Sequence, residues 1–164
     1  MEIKEYLQKQ VADAHGLLDA AITDTSNAMA NTKTGGEHTN IIATVYAHVI
    51  GREDYFVQTT IQDKPSLWES GWAERLSINA QLARNWTFAI PDLSAFRAYA
   101  QAVHAATDAY LKSATPEELD LIVQVFGSER PVANVLMTIV THASGHAGEI
   151  ATLKGMQGVK GLPF

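Results

Sequence analysis

The last long helical pattern of the chain, residues 132–153, reads VANVLMTIVTHASGHAGEIATL. Apolar residues recur in it at spacings of three and four, which predicts an amphipathic helix that starts near residues 128–131. His142 and His146 share a stripe with apolar positions such as Ile139, so both imidazoles are expected to point into a core. Residues four apart on a helix lie about 5–6 Å from each other. Two imidazoles at that distance can bind one metal ion.

A third histidine, His48, lies in the middle of another amphipathic pattern, which predicts a helix over about residues 39–62. An inward-facing imidazole there would meet His142 and His146 across a helical bundle. Three histidines with one open coordination position are the arrangement that catalytic metal sites use. The alternative is that each imidazole is partly buried and makes a single hydrogen bond. Because an inward pair without partners would be costly, the metal site is the favoured interpretation.

Two further amphipathic patterns predict long helices. One covers about residues 3–28, and the other begins after the N-cap residue Asp92 and extends as far as Tyr110. A shorter helix is predicted over about residues 73–84. Four long helices joined by two long connections predict an all-α four-helix bundle. The sequence has no internal repeat or linker, so residues 1–164 are expected to form one domain.

The segment before the last long helix carries two weaker signals. Thr115, Pro116 and Glu118 form a capping box with proline at the first helical position, which predicts a single helical turn. The apolar run LIVQVF over residues 121–126 could be extended. One short strand cannot form a sheet, so no sheet is expected.

Composition places the chain among ordinary globular proteins, since 46% of its 164 residues are hydrophobic and 18% are charged. No apolar stretch is long enough to span a membrane and the N-terminus does not resemble a signal peptide, so we expect a cytoplasmic protein with no membrane partner. The net charge of −6 and the absence of a basic stripe argue against nucleic-acid binding. With no cysteine, any transition metal must be held by histidine or carboxylate.

The remaining histidines are weaker candidates for a metal site. Two of them form i,i+4 pairs with an aspartate: His15 with Asp19, and His104 with Asp108. We expect both pairs to make surface hydrogen bonds rather than to bind metal. His38 lies in a polar loop, and Ser144 faces away from the neighbouring histidines, so no serine triad is expected. The glutamate spacings of zinc-protease and di-metal carboxylate motifs are also absent.

Three other residues of the last helix need an explanation. Glu149 lies on the same face as the two histidines and could hydrogen-bond an imidazole or a metal-bound water, which makes it a candidate catalytic group. Alternatively it is only a polar residue near the helix end. Gly145 and Gly148 each cost about 1 kcal/mol relative to alanine inside a helix. They indicate either the close approach of a substrate or partner helix or tight packing within the bundle.

The histidines occur in segments that resemble those of a known family. The first lies in AHVIGREDYF (47–56), and the others lie in HASGHAGEIATLKGMQGVKGLPF (142–164). In these motifs and in helix order the chain resembles the DinB/YfiT-like metalloenzyme superfamily. The resemblance implies a four-helix bundle, a homodimer, and a divalent metal, commonly zinc or nickel, held by His48, His142 and His146. Some relatives are S-transferases or isomerases that use a low-molecular-weight thiol, so such a thiol is a candidate cofactor.

Two functions are consistent with this sequence. The first is a metal-dependent enzyme acting on a small-molecule substrate, either a thiol-dependent S-transferase or a hydrolase, in which Glu149 relays a proton. The second is a non-catalytic stress or interaction protein in which the metal only holds helices together. Structural zinc sites usually have four protein ligands, and the sequence offers no obvious fourth histidine or cysteine. This favours the enzyme.

Overall fold

Helices dominate the computed structural model of the chain, which describes residues 2–78 and 88–162. The α-helices of this part are α1 (Ile3–Ile22), α2 (Asn27–Asn31), α3 (Ile42–Asp54), α4 (Ala73–Arg75), α5 (Leu93–Ser113), α6 (Pro116–Asp120) and α7 (Val132–Met156). The four long helices form a bundle in which α1 and α3 each pack against both α5 and α7. The predicted all-α four-helix bundle is confirmed.

The bundle forms because each long helix buries one apolar face. In α1, Leu7, Val11 and Leu18 are fully buried. Their spacing of four and seven residues places them on the same side of a helix with 3.6 residues per turn. Burying a side chain of this size stabilises the fold by roughly 1.5–3 kcal/mol. Helix α5 begins where it was predicted, because the Asp92 carboxylate accepts a hydrogen bond from the Ala95 backbone N–H at 3.0 Å.

Three helix boundaries differ from the sequence prediction. Helix α1 ends at Ile22 rather than near residue 28, and the chain starts the separate helix α2 after Ser26, whose hydroxyl accepts the Met29 backbone N–H at 3.1 Å. Helix α3 begins at Ile42 and continues as a π-helical segment, Tyr55–Ile61, close to the predicted end. Of the helix predicted over residues 73–84, α4 forms the start, and residues 79–87 lie outside the described part of the chain.

A small hairpin between α6 and α7 corrects another expectation. Strand β1 (Ile122–Val125) pairs in antiparallel fashion with β2 (Ser128–Pro131). The expectation of no sheet was wrong because the polar segment SERP, which lacks any apolar signal, supplies the second strand. Phe126 and Gly127 join the strands with positive φ values of 49° and 79°, the conformation of a tight two-residue hairpin turn.

The last helix follows this hairpin directly. Helix α7 begins at Val132, immediately after the residues where its start was predicted. It runs for 25 residues and therefore carries its histidines along the length of the bundle. No helix within residues 2–78 or 88–162 has both the length and the apolar character needed to cross a membrane.

Candidate metal centre

Helices α3 and α7 bring His48, His142 and His146 together at one point. The Nε2 atom of His142 lies 3.0 Å from that of His48 and 3.2 Å from that of His146. All three side chains are half-buried. Their rings meet edge to face, at interplanar angles between 64° and 86°. The side chains therefore point the same type of ring nitrogen at a common centre from three directions.

This donor set fits a divalent transition metal. Zinc bonds to histidine nitrogen are about 2.1 Å long, so neighbouring ligand atoms of a tetrahedral site lie roughly 3.4 Å apart. The separations between Nε2 atoms are close to that value. Because the rings are steeply inclined to one another, each of them can hold the same central ion in its own plane. Neutral imidazole ligands suit zinc and nickel.

Glu149 sets the tautomer of one of these imidazoles. Its Oε2 atom lies 2.7 Å from Nδ1 of His146, and an ionised carboxylate can only accept a hydrogen bond. Nδ1 therefore carries a proton, so Nε2, which faces His142, is the nitrogen of His146 that is left to bind a metal. The second carboxylate oxygen, Oε1, accepts a long hydrogen bond of 3.5 Å from the side-chain amide of Asn40.

Two of the three imidazoles, those of His48 and His142, are neutral at neutral pH. Burial lowers the pKa of His48 to about 4, and repulsion from His146 and Arg52 adds to the shift. Burial likewise lowers the pKa of His142 to about 4, with repulsion from His146 and His48 next in importance. Desolvation of a charged imidazole is unfavourable. At neutral pH both side chains therefore keep a lone pair for a ligand bond.

Arg52, whose charge acts on His48 and His142, also contacts an exposed aromatic ring. Arg52 lies one helical turn after His48 on α3, and its guanidinium carbon is 5.2 Å from the centre of the Phe126 ring. Phe126 projects from the hairpin turn and is 72% exposed. A positive charge beside a metal centre favours ligands that carry an anionic group. The opposite charge, on Glu149, contacts His146.

The sequence pattern of the DinB superfamily matches residues 10–150. The chain belongs to the DinB superfamily. Members of this superfamily include metal-binding enzymes.

The fold of this DinB-superfamily chain also occurs in a solved structure, that of a conserved protein from Enterococcus faecalis. The two chains superpose with a TM-score of 0.78 over 95% of this chain and 97% of the other, at 16% sequence identity. At that identity the likeness concerns the fold alone. No curated protein matches the sequence.

A second polar cluster of the DinB-superfamily chain lies inside the bundle, where α1, α3 and α5 meet. His15 and His104 are only 7% and 8% exposed, so their predicted location at the surface, paired with aspartates, is wrong. Nε2 of His15 lies 2.9 and 3.1 Å from the two carboxylate oxygens of Glu53. The hydroxyl of Thr107 donates a 2.6 Å hydrogen bond to the same carboxylate. The ring of His104 stacks on that of His15, 3.7 Å away.

The charges of this cluster are set by mutual contact. Burial opposes a charge on His15, but the hydrogen bond and the charge of Glu53 outweigh it and raise the pKa of His15. Burial also opposes ionisation of Glu53, yet His15 and other partners lower its pKa. Burial lowers the pKa of His104. The cluster therefore contains one buried ion pair, His15 with Glu53, beside a neutral imidazole.

The sequence carried a signal for this cluster that the i,i+4 aspartates obscured. His15 follows Val11 by four residues and precedes Leu18 by three, and both of these are buried. His104 follows Ala100 by four residues and precedes Leu111 by seven, which is two helical turns, and both of these are also buried. Apolar register would therefore have predicted two inward histidines. The position of Glu53 beside them depends on how the helices pack, which periodicity does not reveal.

Replacing His15 with glutamine is expected to cost the most stability at mildly acidic pH. Folding raises the pKa of His15 above 6.5. The contribution of the charged pair is therefore fully present below the unfolded pKa and is lost as pH rises through the folded pKa. Urea denaturation of both chains in chelator, from about pH 5.5 to about pH 9, should give a free-energy difference that shrinks with pH. A difference that grows with pH would contradict a charged pair.

Proposed function

We propose that this protein is a metal-dependent enzyme acting on a small-molecule substrate, either an S-transferase that uses a low-molecular-weight thiol or a hydrolase. The observation that carries the proposal is the convergence of three Nε2 atoms. That of His142 lies 3.0 Å from that of His48 and 3.2 Å from that of His146. Zinc or nickel is the proposed metal, because the donor set consists of neutral imidazoles.

In such a centre the metal and the surrounding side chains would have different roles. A divalent ion on three neutral imidazoles supplies Lewis-acid chemistry that lowers the pKa of a water or thiol toward neutrality. His146 keeps its Nε2 lone pair in place because Glu149 holds the proton on Nδ1. We propose that the released proton reaches the Oε1 atom of Glu149 through a bridging water, because Oε2 is occupied by His146. Arg52 orients an anionic group of the substrate beside the centre.

The number of protein ligands supports the enzyme over a purely structural role. The group of side chains in the described chain that converges on this point contains three ligands, whereas structural zinc sites are usually closed by four. Glu149 contacts the Nδ1 side of His146, away from the point where the Nε2 atoms meet. It therefore supports the histidine from outside rather than completing a closed set of ligands.

Metal removal tests this proposal against the non-catalytic alternative. The four helices bury their own apolar faces, so chelation should leave the helical circular dichroism nearly unchanged. Turnover of substrates in a screen that contains several low-molecular-weight thiols and simple esters should be lost. It should return when zinc or nickel is added back. Unfolding on chelation, together with no turnover under any condition, would favour a structural metal.

A conservative change at Glu149 should separate proton transfer from histidine positioning. In the Glu149→Gln variant the amide oxygen still accepts the His146 Nδ1 hydrogen, so metal content should stay unchanged. The amide cannot take up a proton, so kcat should fall by a factor of about 100–1,000. In Glu149→Ala the metal affinity should also fall, by about 10–100-fold.

Metal analysis and steady-state kinetics measure these effects, and Glu37→Gln, at an exposed loop position, is the matched control. Full activity in Glu149→Gln would remove Glu149 from the proton-transfer step. Loss of metal in the same variant would limit its role to positioning His146.

We also propose that the chain forms a homodimer through the exposed glycines of α7. A methyl group added at Gly145 or Gly148 would meet no atom within 4 Å, so packing within the described chain does not require glycine there. Changing both to alanine should stabilise the monomer by about 1 kcal/mol per position and weaken the dimer. Sedimentation at micromolar concentration measures the second effect. Gly16→Ala, with equal room on α1, should stabilise the fold without changing association, and a monomeric unmodified chain would contradict the dimer.

A further inference from the structure

We propose that His15, Glu53 and His104 form a second binding site for a divalent transition metal, separate from the three-histidine centre. The inference does not depend on the proposed enzymatic function. The three residues belong to α1, α3 and α5, whereas the first centre uses α3 and α7. An ion at this second position would link three of the four long helices.

The donor atoms have the right identity for such a site and lie close enough together to reach one ion once a ring turns. One nitrogen from each histidine and one oxygen of Glu53 all lie within 4.8 Å of one another. Two imidazoles and one carboxylate make up a ligand set found in zinc enzymes. The hydroxyl of Thr107, which donates to the Glu53 carboxylate at 2.6 Å, orients that carboxylate.

An unpartnered nitrogen points to a ligand at this position. Nε2 of His104 is buried and has no hydrogen-bond partner within the described chain. Leaving a buried polar atom unsatisfied costs about 1–3 kcal/mol. His15 and Thr107 already bond to Glu53, and neither of them contacts this nitrogen through a hydrogen bond. A metal ion bound by the cluster would give the Nε2 lone pair a partner.

The charges around the cluster also favour a cation. Glu53 is ionised and almost fully buried. Asp19 and Asp108 lie one helical turn after His15 and His104, and both carboxylates stabilise positive charge on both imidazoles. Three carboxylates therefore act on two histidines, of which only His15 carries a charge. A dication in place of the His15 proton would balance this excess of negative charge.

The ring geometry determines how strongly this site should bind. The two imidazoles are parallel to within 9°, and the lone pairs of parallel stacked rings cannot both point at one ion. Coordination by both therefore requires one ring to turn about its Cβ–Cγ bond. The three-histidine centre needs no such rotation. The first equivalent of metal should consequently bind at the three-histidine centre and the second equivalent at His15, Glu53 and His104.

Zinc stoichiometry tests the second site directly. The chain should bind two Zn²⁺ ions when metal is in excess, and the His142→Ala/His146→Ala variant should bind one. Adding His104→Gln to that double variant should reduce binding to zero, while adding His38→Gln, at an exposed loop histidine, should leave one ion bound. Circular dichroism confirms that each variant is folded, and His15→Gln replaces His104→Gln if the latter does not fold.

The outcomes separate this site from the first centre. A folded His142→Ala/His146→Ala chain that binds no Zn²⁺ would overturn the second site. The cluster would then hold a proton and no metal, and the proposal of the three-histidine centre would be unaffected. One ion that remains after His104→Gln and after His15→Gln would also overturn it. The unmodified chain could instead bind only one ion. If His104→Gln removed that ion while His142→Ala/His146→Ala kept it, the result would support the second site and contradict the first.

Discussion

Replacing His142 and His146 together with alanine is expected to remove metal from the three-histidine centre and to lower turnover by a factor of about 1,000 or more. Both imidazoles contribute Nε2 to the same point, and a single remaining histidine, His48, cannot hold a transition ion there against water. The Lewis-acid contribution of a catalytic metal is several kcal/mol, and each 1.36 kcal/mol changes the rate about tenfold.

Metal analysis at one equivalent of zinc, combined with kinetics on a substrate found in the thiol and ester screen, measures both effects. The matched control is His38→Ala, which changes a histidine in an exposed loop and should leave metal content and turnover unchanged. If the double variant kept its activity, the reaction would have to occur elsewhere in the molecule.

Replacing Glu53 with alanine should lower the free energy of unfolding by about 3–5 kcal/mol, because it removes one partner of a buried ion pair. The carboxylate accepts hydrogen bonds from both His15 and Thr107. Without it, the charge on His15 loses the carboxylate that it contacts, and the buried side chain is expected to become neutral. The Thr107 hydroxyl also loses an acceptor in a fully buried position.

Urea denaturation in the presence of a chelator measures this loss without any contribution from bound metal. The Glu37→Ala variant changes an exposed glutamate and should stay within about 0.5 kcal/mol of the unmodified chain. A loss below about 1 kcal/mol in Glu53→Ala would mean that the pair contributes no more than an exposed salt bridge does.

The long helices and the three-histidine cluster could be predicted because each depends on periodicity within one helix. His142 and His146 share a face by spacing alone, and that face is buried through neighbours such as Ile139. The position of His48 opposite them required only that α3 and α7 adjoin. In the four-helix bundle, α3 and α7 pack against each other.

The features that the sequence did not predict depend on contacts between distant segments. β2 is polar and exposed along most of its length, so only its pairing with β1 identifies it as a strand. Glu53 follows Arg52 in a charged stretch that is typical of a helix surface, but α3 turns its carboxylate toward His15 across the bundle. Burial of a charged side chain is decided by its partner, and a single sequence does not show which partner that is.

An anomalous difference map from a crystal of the protein loaded with one equivalent of Zn²⁺ tests the central claim most directly. Data collected on both sides of the zinc absorption edge should show one peak about 2.1 Å from the Nε2 atoms of His48, His142 and His146. A map with no zinc peak at that point, or with its strongest peak on other residues, would contradict a metal centre formed by these three histidines.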